Sequence, residues 1–124
     1  MEKNILIIED DEFFRELISK KLLSKGFKIS EAVDGKTGLV RVKKSKPDLI
    51  LLDILLPDVD GFEVLADLKH DSGTLSIPVV ILSNLLSKED VDKGLKLGAS
   101  NFLVKSQVDS EEIIKIIEKA LSPA

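Results

Sequence analysis

The chain has 124 residues, 44% of them hydrophobic and 32% charged, which predicts one folded domain with a full core. Its 18 Lys and Arg residues against 22 Asp and Glu residues give a formal net charge of −4, which argues against direct binding of nucleic acid. The absence of cysteine excludes disulfides and thiolate metal sites, and one histidine cannot build a histidine-rich metal centre. No apolar run approaches the roughly 18 residues of a membrane span or forms a signal-peptide core, so we expect a cytoplasmic protein without membrane contact.

Four short apolar runs, at residues 5–8, 49–52, 79–82 and 102–104, predict β-strands. Each run is apolar on both faces of the pleat, which is typical of strands covered on both sides in a parallel sheet. A weaker run at residues 27–33 predicts a strand at the edge of that sheet.

Helical spacing of the apolar residues between these runs predicts five helices. We place them at residues 12–25, 36–44, 62–70, 87–97 and 109–121. Gly26 and Gly98 are expected to end the first and fourth helices. His70 lies late in the third helix between two charged neighbours, and we expect it to be solvated.

Two helix starts have the residue spacing of a capping box, in which side chains and backbone N–H groups pair reciprocally. These pairs are Ser87 with Asp90, and Asp109 with Glu112. With strand and helix alternating five times, the sequence predicts an α/β fold with a doubly wound, five-stranded parallel sheet and five helices.

Polar side chains follow four of the predicted strands. They are Glu9, Asp10 and Asp11 after the first strand, Asp53 after the third, Ser83 and Asn84 after the fourth, and Lys105 after the fifth. In a sheet of this type, ligands bind beyond the carboxyl ends of the strands, so these side chains are expected to converge. Taken singly, each has a plainer explanation, since Asp10 or Asp11 is equally suited to cap the first helix.

The combination of side chains indicates a specific chemistry. Glu9, Asp10 and Asp53 in one pocket would repel one another unless a cation lay among them. Oxygen ligands with room for water suit Mg²⁺, and a nearby ammonium from Lys105 and hydroxyl from Ser83 suit phosphoryl transfer.

Over its whole length, residues 1–124, the sequence resembles the receiver domain of two-component response regulators, in its stand-alone form. The segment 5–11 is similar to the family's first strand and acidic cluster, with Arg15 in the helix that follows. The segment 53–61 resembles the phosphoacceptor loop, Ser83 stands at the switch hydroxyl, and residues 97–105 resemble the segment that carries the lysine. The family fold is flavodoxin-like with strand order 2-1-3-4-5, and any output domain would lie on another chain.

The resemblance implies that the protein is a phosphorylation switch in two-component or phosphorelay signalling. Asp53 would take a phosphoryl group from a phosphohistidine on a sensor histidine kinase or histidine phosphotransfer protein. Asp10, Asp53 and the Leu55 backbone carbonyl would bind Mg²⁺, with Glu9 acting through water. Apart from its own phosphorylation and dephosphorylation, the domain would catalyse nothing.

The resemblance also implies how the signal leaves the site. Lys105 would pair with the phosphoryl group, Ser83 would move toward one of its oxygens, and Phe102 would turn inward. The fourth helix, fifth strand and fifth helix would then present a changed surface to an unknown downstream protein. As a simple alternative, Phe102 is an ordinary core aromatic.

Three features depart from the family pattern. Ser106 stands where the family usually has a proline on a cis bond, and a cis bond before a non-proline residue costs about 2.5–4 kcal/mol, so we expect a trans bond. Asn84 replaces a small residue and is expected to restrict access to the phosphoryl group. Leu55 and Leu85 offer no polar side chain to orient an attacking water, which predicts slow self-dephosphorylation; alternatively, the two leucines merely cover the pocket.

Competing interpretations remain at this point. A phosphatase of the haloacid-dehalogenase type needs a second aspartate where Leu55 stands, and a flavin or nucleotide module needs a glycine-rich loop where Glu9 stands. Residues 58–61 lack the ligand spacing of a calcium loop. The main alternative is a receiver-like scaffold that binds partner proteins without being phosphorylated.

Overall fold

The structure is a computed structural model that describes residues 2–122. Within this range the chain forms five β-strands and five α-helices in alternation. The strands are β1 (Asn4–Ile8), β2 (Lys28–Ala32), β3 (Leu49–Leu52), β4 (Val79–Ser83) and β5 (Asn101–Val104). The helices are α1 (Glu12–Ser24), α2 (Gly35–Ser45), α3 (Gly61–His70), α4 (Lys88–Lys96) and α5 (Ser110–Leu121). A short 3₁₀ helix, Lys105–Gln107, joins β5 to α5 and is absent from the sequence prediction.

The five strands form one parallel sheet in the order β2-β1-β3-β4-β5. This confirms the doubly wound, flavodoxin-like fold expected from the sequence. Because β2 lies on one side of β1 and β3 on the other, the strand order reverses between β1 and β3. Ligands of such sheets bind at this reversal, beyond the carboxyl ends of the strands.

The central strands are covered on both faces, as their continuous apolar runs predict. Every residue of β3 and β4 is buried, and so is every residue of β1 except Asn4. Leu6 and Ile8 belong to a core cluster with α2 and α3, whereas Ile5 and Ile7 belong to a second cluster with α1 and α5. The helices on the two faces therefore hold the sheet edge that carries the polar residues in a fixed position.

Each α-helix begins after a residue whose side chain accepts a hydrogen bond from an N–H group of the first turn. These N-cap residues are Asp11, Asp34, Asp60, Ser87 and Asp109. Asp11, and not Asp10, caps α1, which decides between the two residues left open by the sequence.

Of the two predicted capping boxes, only that of α5 is complete. There, Asp109 and Glu112 pair reciprocally, as predicted. At α4, the Ser87 hydroxyl accepts from the Asp90 N–H and also donates to the Asp90 carboxylate at 2.8 Å. This side-chain contact replaces the expected hydrogen bond from the Ser87 N–H to the Asp90 carboxylate, so the capping-box prediction for α4 was wrong in that half.

The predicted ends of α1 and α4 are confirmed, because Gly26 and Gly98 adopt φ values of +93° and +113°. The edge strand is shorter than the predicted range 27–33. The N–H of Phe27 donates back to the carbonyl of Leu22 at 3.2 Å, so Phe27 belongs to the end of α1 rather than to β2.

Two further expectations concern the surface. His70 is exposed, as predicted, with its Nδ1 atom 2.7 Å from the carbonyl oxygen of Ala66. Among the described residues, no helix has the length and the apolar character needed to cross a membrane.

Candidate functional site

The polar residues at the strand ends converge on one edge of the sheet, as the sequence predicts. Glu9 and Asp10 follow β1, Asp53 follows β3, Ser83 ends β4, and Lys105 follows β5. One carboxylate oxygen from each of Glu9, Asp10 and Asp53 lies within 4.8 Å of the other two. The site therefore forms at the reversal of strand order, between β1 and β3.

The three carboxylates differ in exposure. Glu9 is 3% exposed and Asp53 5%, whereas Asp10 lies at the solvent-facing rim. Oxygen donors of this kind, with water at the open side, fit a hard divalent cation such as Mg²⁺. The donor set is thus compatible with the metal site expected from the sequence.

Lys105 joins the two buried carboxylates. Its ammonium donates to Asp53 Oδ2 at 3.1 Å and forms an ion pair with Glu9 Oε1. The same nitrogen lies 4.6 Å from the centre of the Phe14 ring, at cation–π distance. Lys105 is therefore held by two charges and an aromatic face, although the next two residues of its short 3₁₀ helix, Ser106 and Gln107, are exposed.

The proton affinities at the site follow from burial and neighbouring charge. Burial raises the pKa of Glu9 from 4.5 to about 7; the hydrogen bond from Lys105 opposes this rise and the charge of Asp53 adds to it. Burial alone would lower the pKa of Lys105, but its contacts with Glu9 and Asp53 outweigh burial and raise the pKa. The ammonium therefore stays charged at neutral pH, beside a carboxyl group that titrates there.

Backbone contacts orient the buried carboxylates. Glu9 Oε2 accepts from the N–H of Asp11 at 3.1 Å, and its carbonyl accepts from Arg15 Nη1 at 3.0 Å. Asp53 Oδ1 accepts from the N–H of Leu55 at 3.1 Å. With Oδ1 bound to the backbone and Oδ2 to Lys105, the Asp53 carboxylate has a defined orientation.

Ser83 is completely buried, and its hydroxyl oxygen has no hydrogen-bond partner among residues 2–122. Buried hydroxyl groups are nearly always paired, and an unpaired one costs about 1–3 kcal/mol. The Ser83 hydroxyl therefore keeps its donor capacity for a group bound at this edge of the sheet.

Phe102 is half-buried and packs against α4 and β4. It is paired across the sheet with Ile81, and a Cβ atom at Gly94 would lie 2.9 Å from its ring and 2.7 Å from Ile81 Cδ1. Only a residue without a side chain lets α4 approach the ring this closely. The structure shows Phe102 in one position, so its inward turn stays a prediction.

The residues that depart from the family pattern surround this edge. No peptide bond in the described chain is cis, so the bond from Lys105 to Ser106 is trans, as expected. The trans bond leaves Lys105 within reach of Asp53. Asn84 is exposed, Leu55 is 52% exposed, and Leu85 packs partly against the core. The effects of these residues on the phosphoryl group stay predictions.

The loop after Asp53 is tied to its surroundings at two points. A Cβ atom at Gly61 would lie only 2.4 Å from Ile54 Cα, so a residue without a side chain is needed there. Asp58 accepts from the N–H groups of Gly35 and Lys36 at the start of α2, and the bond from Gly35 holds the pKa of Asp58 below its usual range. Both contacts fix the path of the loop that carries Asp53.

Two residues that contact the site were assigned no role there from the sequence. Phe14 was counted only as a core position of α1, and Arg15 only as part of the resemblance. Both lie in the first turn of α1, directly after the acidic cluster. That position, at the sheet edge that carries the site, is the sequence feature that could have identified them as neighbours of the site. The sequence contains no signal for the contact of Phe14 with Lys105, because it joins two distant segments.

The sequence matches the family described as response regulator receiver domain over residues 5–118. It is 41% identical to response regulator PleD of Caulobacter vibrioides over 105 residues, 85% of this chain. It is 39% identical to the DNA-binding dual master transcriptional regulator RpaA of Synechocystis over 117 residues, 94% of this chain. The BeF3-activated N-terminal receiver domain of Klebsiella pneumoniae RstA has a TM-score of 0.89 and 28% identity, covering 97% of this chain and 99% of that one.

The chain spans 23% of PleD and 48% of RpaA, so only part of each relative corresponds to it. The family match includes every strand end that contributes to the site, from Glu9 to Lys105. By its sequence, its fold and this site, the chain belongs to the family of response regulator receiver domains.

Proposed function

We propose that the protein is a phosphoacceptor switch, in which Asp53 accepts a phosphoryl group from a phosphohistidine on a sensor histidine kinase or histidine phosphotransfer protein. The observation that carries this proposal is the pairing of a buried Asp53 carboxylate with Lys105 at 3.1 Å, inside a group of three carboxylates. A buried carboxylate held beside an ammonium and oriented in this way is suited to act as a nucleophile.

In the transfer, an Asp53 oxygen forms a bond to phosphorus while the bond from phosphorus to the donor imidazole nitrogen breaks. The electron pair of that bond stays on the imidazole, and an acyl phosphate remains on Asp53. The ammonium of Lys105 neutralises charge on the transferring oxygens, and the unpaired Ser83 hydroxyl donates to one of them.

Asp10, Asp53 and the Leu55 backbone carbonyl are the proposed ligands of Mg²⁺, with Glu9 acting through water. The close approach of the three carboxylates supports this assignment. When bound, Mg²⁺ neutralises the negative charge of the phosphoryl oxygens. Asp53 Oδ1 is fixed by the Leu55 N–H and Oδ2 by Lys105, so these two contacts orient the nucleophile.

The switch would act through Ser83 and Phe102. A hydroxyl that moves toward the phosphoryl group would leave space behind it, and the ring of the half-buried Phe102, which is paired with Ile81 across the sheet, would fill that space. A packed ring with two positions is a two-state element of the kind that transmits a local charge change. The surface of α4, β5 and α5 would then bind a downstream protein differently.

Beyond its own phosphorylation and dephosphorylation, we assign the domain no catalysis. The N-terminal receiver domain of RstA, which the chain resembles at 28% identity, is described as BeF3-activated, and this supports a phosphoryl-like occupant here. The net charge of −4 supports partners that are proteins rather than nucleic acid.

Intact-mass spectrometry tests the proposal. The protein is incubated with acetyl phosphate, with Mg²⁺ or with a chelator, as wild type and as Asp53→Asn. We expect the mass of one phosphoryl group to be added, only with Mg²⁺ and only when Asp53 is present. Asp92→Asn, the same change on an exposed carboxylate of α4, serves as the matched control and is expected to be phosphorylated. No mass gain in folded wild-type protein would favour the unphosphorylated scaffold instead.

A further inference from the structure

A groove of about 1130 Å³ runs along the free edge of the sheet, beside β2 and away from the phosphorylation site. It lies between the end of α1 and one face of α2. Leu23 of α1 and Val40 of α2 line it and are 55% and 65% exposed, and the half-buried Phe27 also contributes. The groove therefore offers apolar surface beside an unpaired strand edge.

The groove is also basic. Its lining includes four cations and a single carboxylate, that of Glu2. The cations are Lys28, Lys36, Arg41 and Lys44. None of them forms an ion pair within the range 2–122, where ion pairs are formed by Arg15, Lys43 and Lys105. In a chain with net charge −4, this concentration of free positive charge favours an acidic ligand.

The backbone of β2 can accept another strand. In a parallel pair, alternate residues direct both their N–H and C=O groups to the same neighbour. The Lys28 N–H donates to Lys3, and the Ala32 carbonyl accepts from Glu9, so Lys28 and Ala32 face β1. Ile29 and Glu31 alternate with these residues along β2, so their backbone N–H and C=O groups point to the open edge.

The two sides of this edge differ in chemistry. Ile29 belongs to the core cluster of α1 and α5, so it lies on the same side of the sheet as the apolar end of α1. The side chain of Lys28 lies on the opposite face of the sheet, as does that of Ala32. This is the face covered by α2, which carries the other cations of the groove. A strand added to β2 would present its side chains alternately to an apolar side and to a basic side.

We propose that this groove binds an extended peptide segment of a partner protein, in which acidic and apolar residues alternate, as an added strand on β2. The acidic side chains face Lys36, Arg41 and Lys44, and the apolar ones face Leu23 and the end of α1. Backbone hydrogen bonds to the β2 edge supply affinity, and the alternation supplies specificity. The interaction does not depend on phosphorylation of Asp53.

A blocked hexapeptide in which glutamate alternates with valine is a direct probe, since six residues of strand span about 20 Å. Binding to the full chain is followed by amide NMR titration and hydrogen exchange. We expect the largest shifts along β2 and slower exchange of the Ile29 and Glu31 amides. The same peptide with lysine in place of glutamate should not bind.

Two comparisons separate strand addition from plain charge attraction. Arg41→Glu with Lys44→Glu should weaken binding about tenfold or more, whereas Lys115→Glu with Lys119→Glu, an equal charge change on exposed residues of α5, should leave it unchanged. Peptides N-methylated either at the glutamates or at the valines should differ, because only one set of N–H groups faces β2. Equal binding of these two peptides, or equally tight binding of hexaglutamate or an oligonucleotide, would overturn the proposal.

Discussion

The ammonium of Lys105 lies 3.1 Å from Asp53 Oδ2, although 52 positions separate the two residues in the chain. The contact exists because β3 and β5 both end at the same edge of a parallel sheet, on either side of β4. Lys105 compensates the charge of Asp53 and Glu9 before any metal or phosphoryl group arrives. The protein can therefore keep several carboxylates close together in its resting state.

Replacing Lys105 should have opposite effects on metal binding and on phosphorylation. In Lys105→Gln, the loss of a neighbouring cation should strengthen Mg²⁺ binding severalfold, measured by isothermal titration calorimetry. Phosphorylation by acetyl phosphate should slow by about 10²-fold, because no ammonium neutralises the transferring oxygens. Lys88→Gln, on an exposed lysine of α4, should change neither quantity. An unchanged phosphorylation rate in Lys105→Gln would exclude the proposed role.

The pKa of Glu9, raised to about 7, predicts a pH-dependent stability without metal. Because the folded state holds the Glu9 proton more tightly than the unfolded state, the stabilisation is complete below about pH 4.5 and is lost as pH rises through about 7. Relative to Glu9→Gln, the wild type should therefore lose stability between pH 5 and pH 8, on the order of 2 kcal/mol.

Urea unfolding at four pH values, with a chelator present, measures this difference. Glu63→Gln, which changes an exposed carboxylate on α3, is the control. Its free energy of unfolding should differ from that of the wild type by the same amount at every pH. Adding Mg²⁺ at pH 8 should restore stability, since a bound cation favours the ionised carboxylate. If the free energies of unfolding of wild type and Glu9→Gln differed by the same amount at every pH, the pKa of Glu9 would not be raised in the folded protein.

The close approach at Gly61 predicts that a methyl group there is poorly tolerated. Gly61→Ala would place Cβ 2.4 Å from Ile54 Cα and 2.8 Å from the Asp53 carbonyl oxygen, so α3 must move away from the loop. We expect a loss of stability of about 2–4 kcal/mol and slower phosphorylation. Gly26→Ala is the comparison that separates steric clash from backbone strain. Its Cβ meets nothing within 4 Å, so only the positive φ lowers the free energy of unfolding, by about 1 kcal/mol. Similar losses in both variants would contradict this explanation.

The apolar residues near the site predict a long-lived phosphoryl group. Leu85→Glu places a carboxylate beside the pocket, where it can orient an attacking water, and should shorten the lifetime of the phosphorylated form. Decay is followed by intact mass after removal of acetyl phosphate. Leu86→Glu, the same change on a 61% exposed neighbour, should leave the lifetime unchanged. A lifetime that Leu85→Glu leaves unaltered would support the simpler view that Leu85 only covers the pocket.

The sequence predicted the fold well because its signals are local. Unbroken apolar runs identify β1, β3 and β4, and N-cap residues such as Asp109 identify helix starts. The same signals placed Glu9, Asp53 and Lys105 at one edge of the sheet. Local signals fail where distant segments meet, as in the contact of Lys105 with Phe14, or where a helix end competes with a strand, as at Phe27. The basic groove has no local signal either, since its residues come from α1, β2 and α2.

The position of the phosphoryl group is the most direct test of the proposed function. Borohydride reduces an acyl phosphate but not a free carboxylate, so a phosphorylated aspartate becomes homoserine. Peptide mass mapping after treatment with acetyl phosphate and Mg²⁺ should find homoserine at position 53 and nowhere else. Homoserine at Asp10, or a phosphorylated chain in which Asp53 is unmodified, would contradict the assignment of Asp53 as the phosphoacceptor.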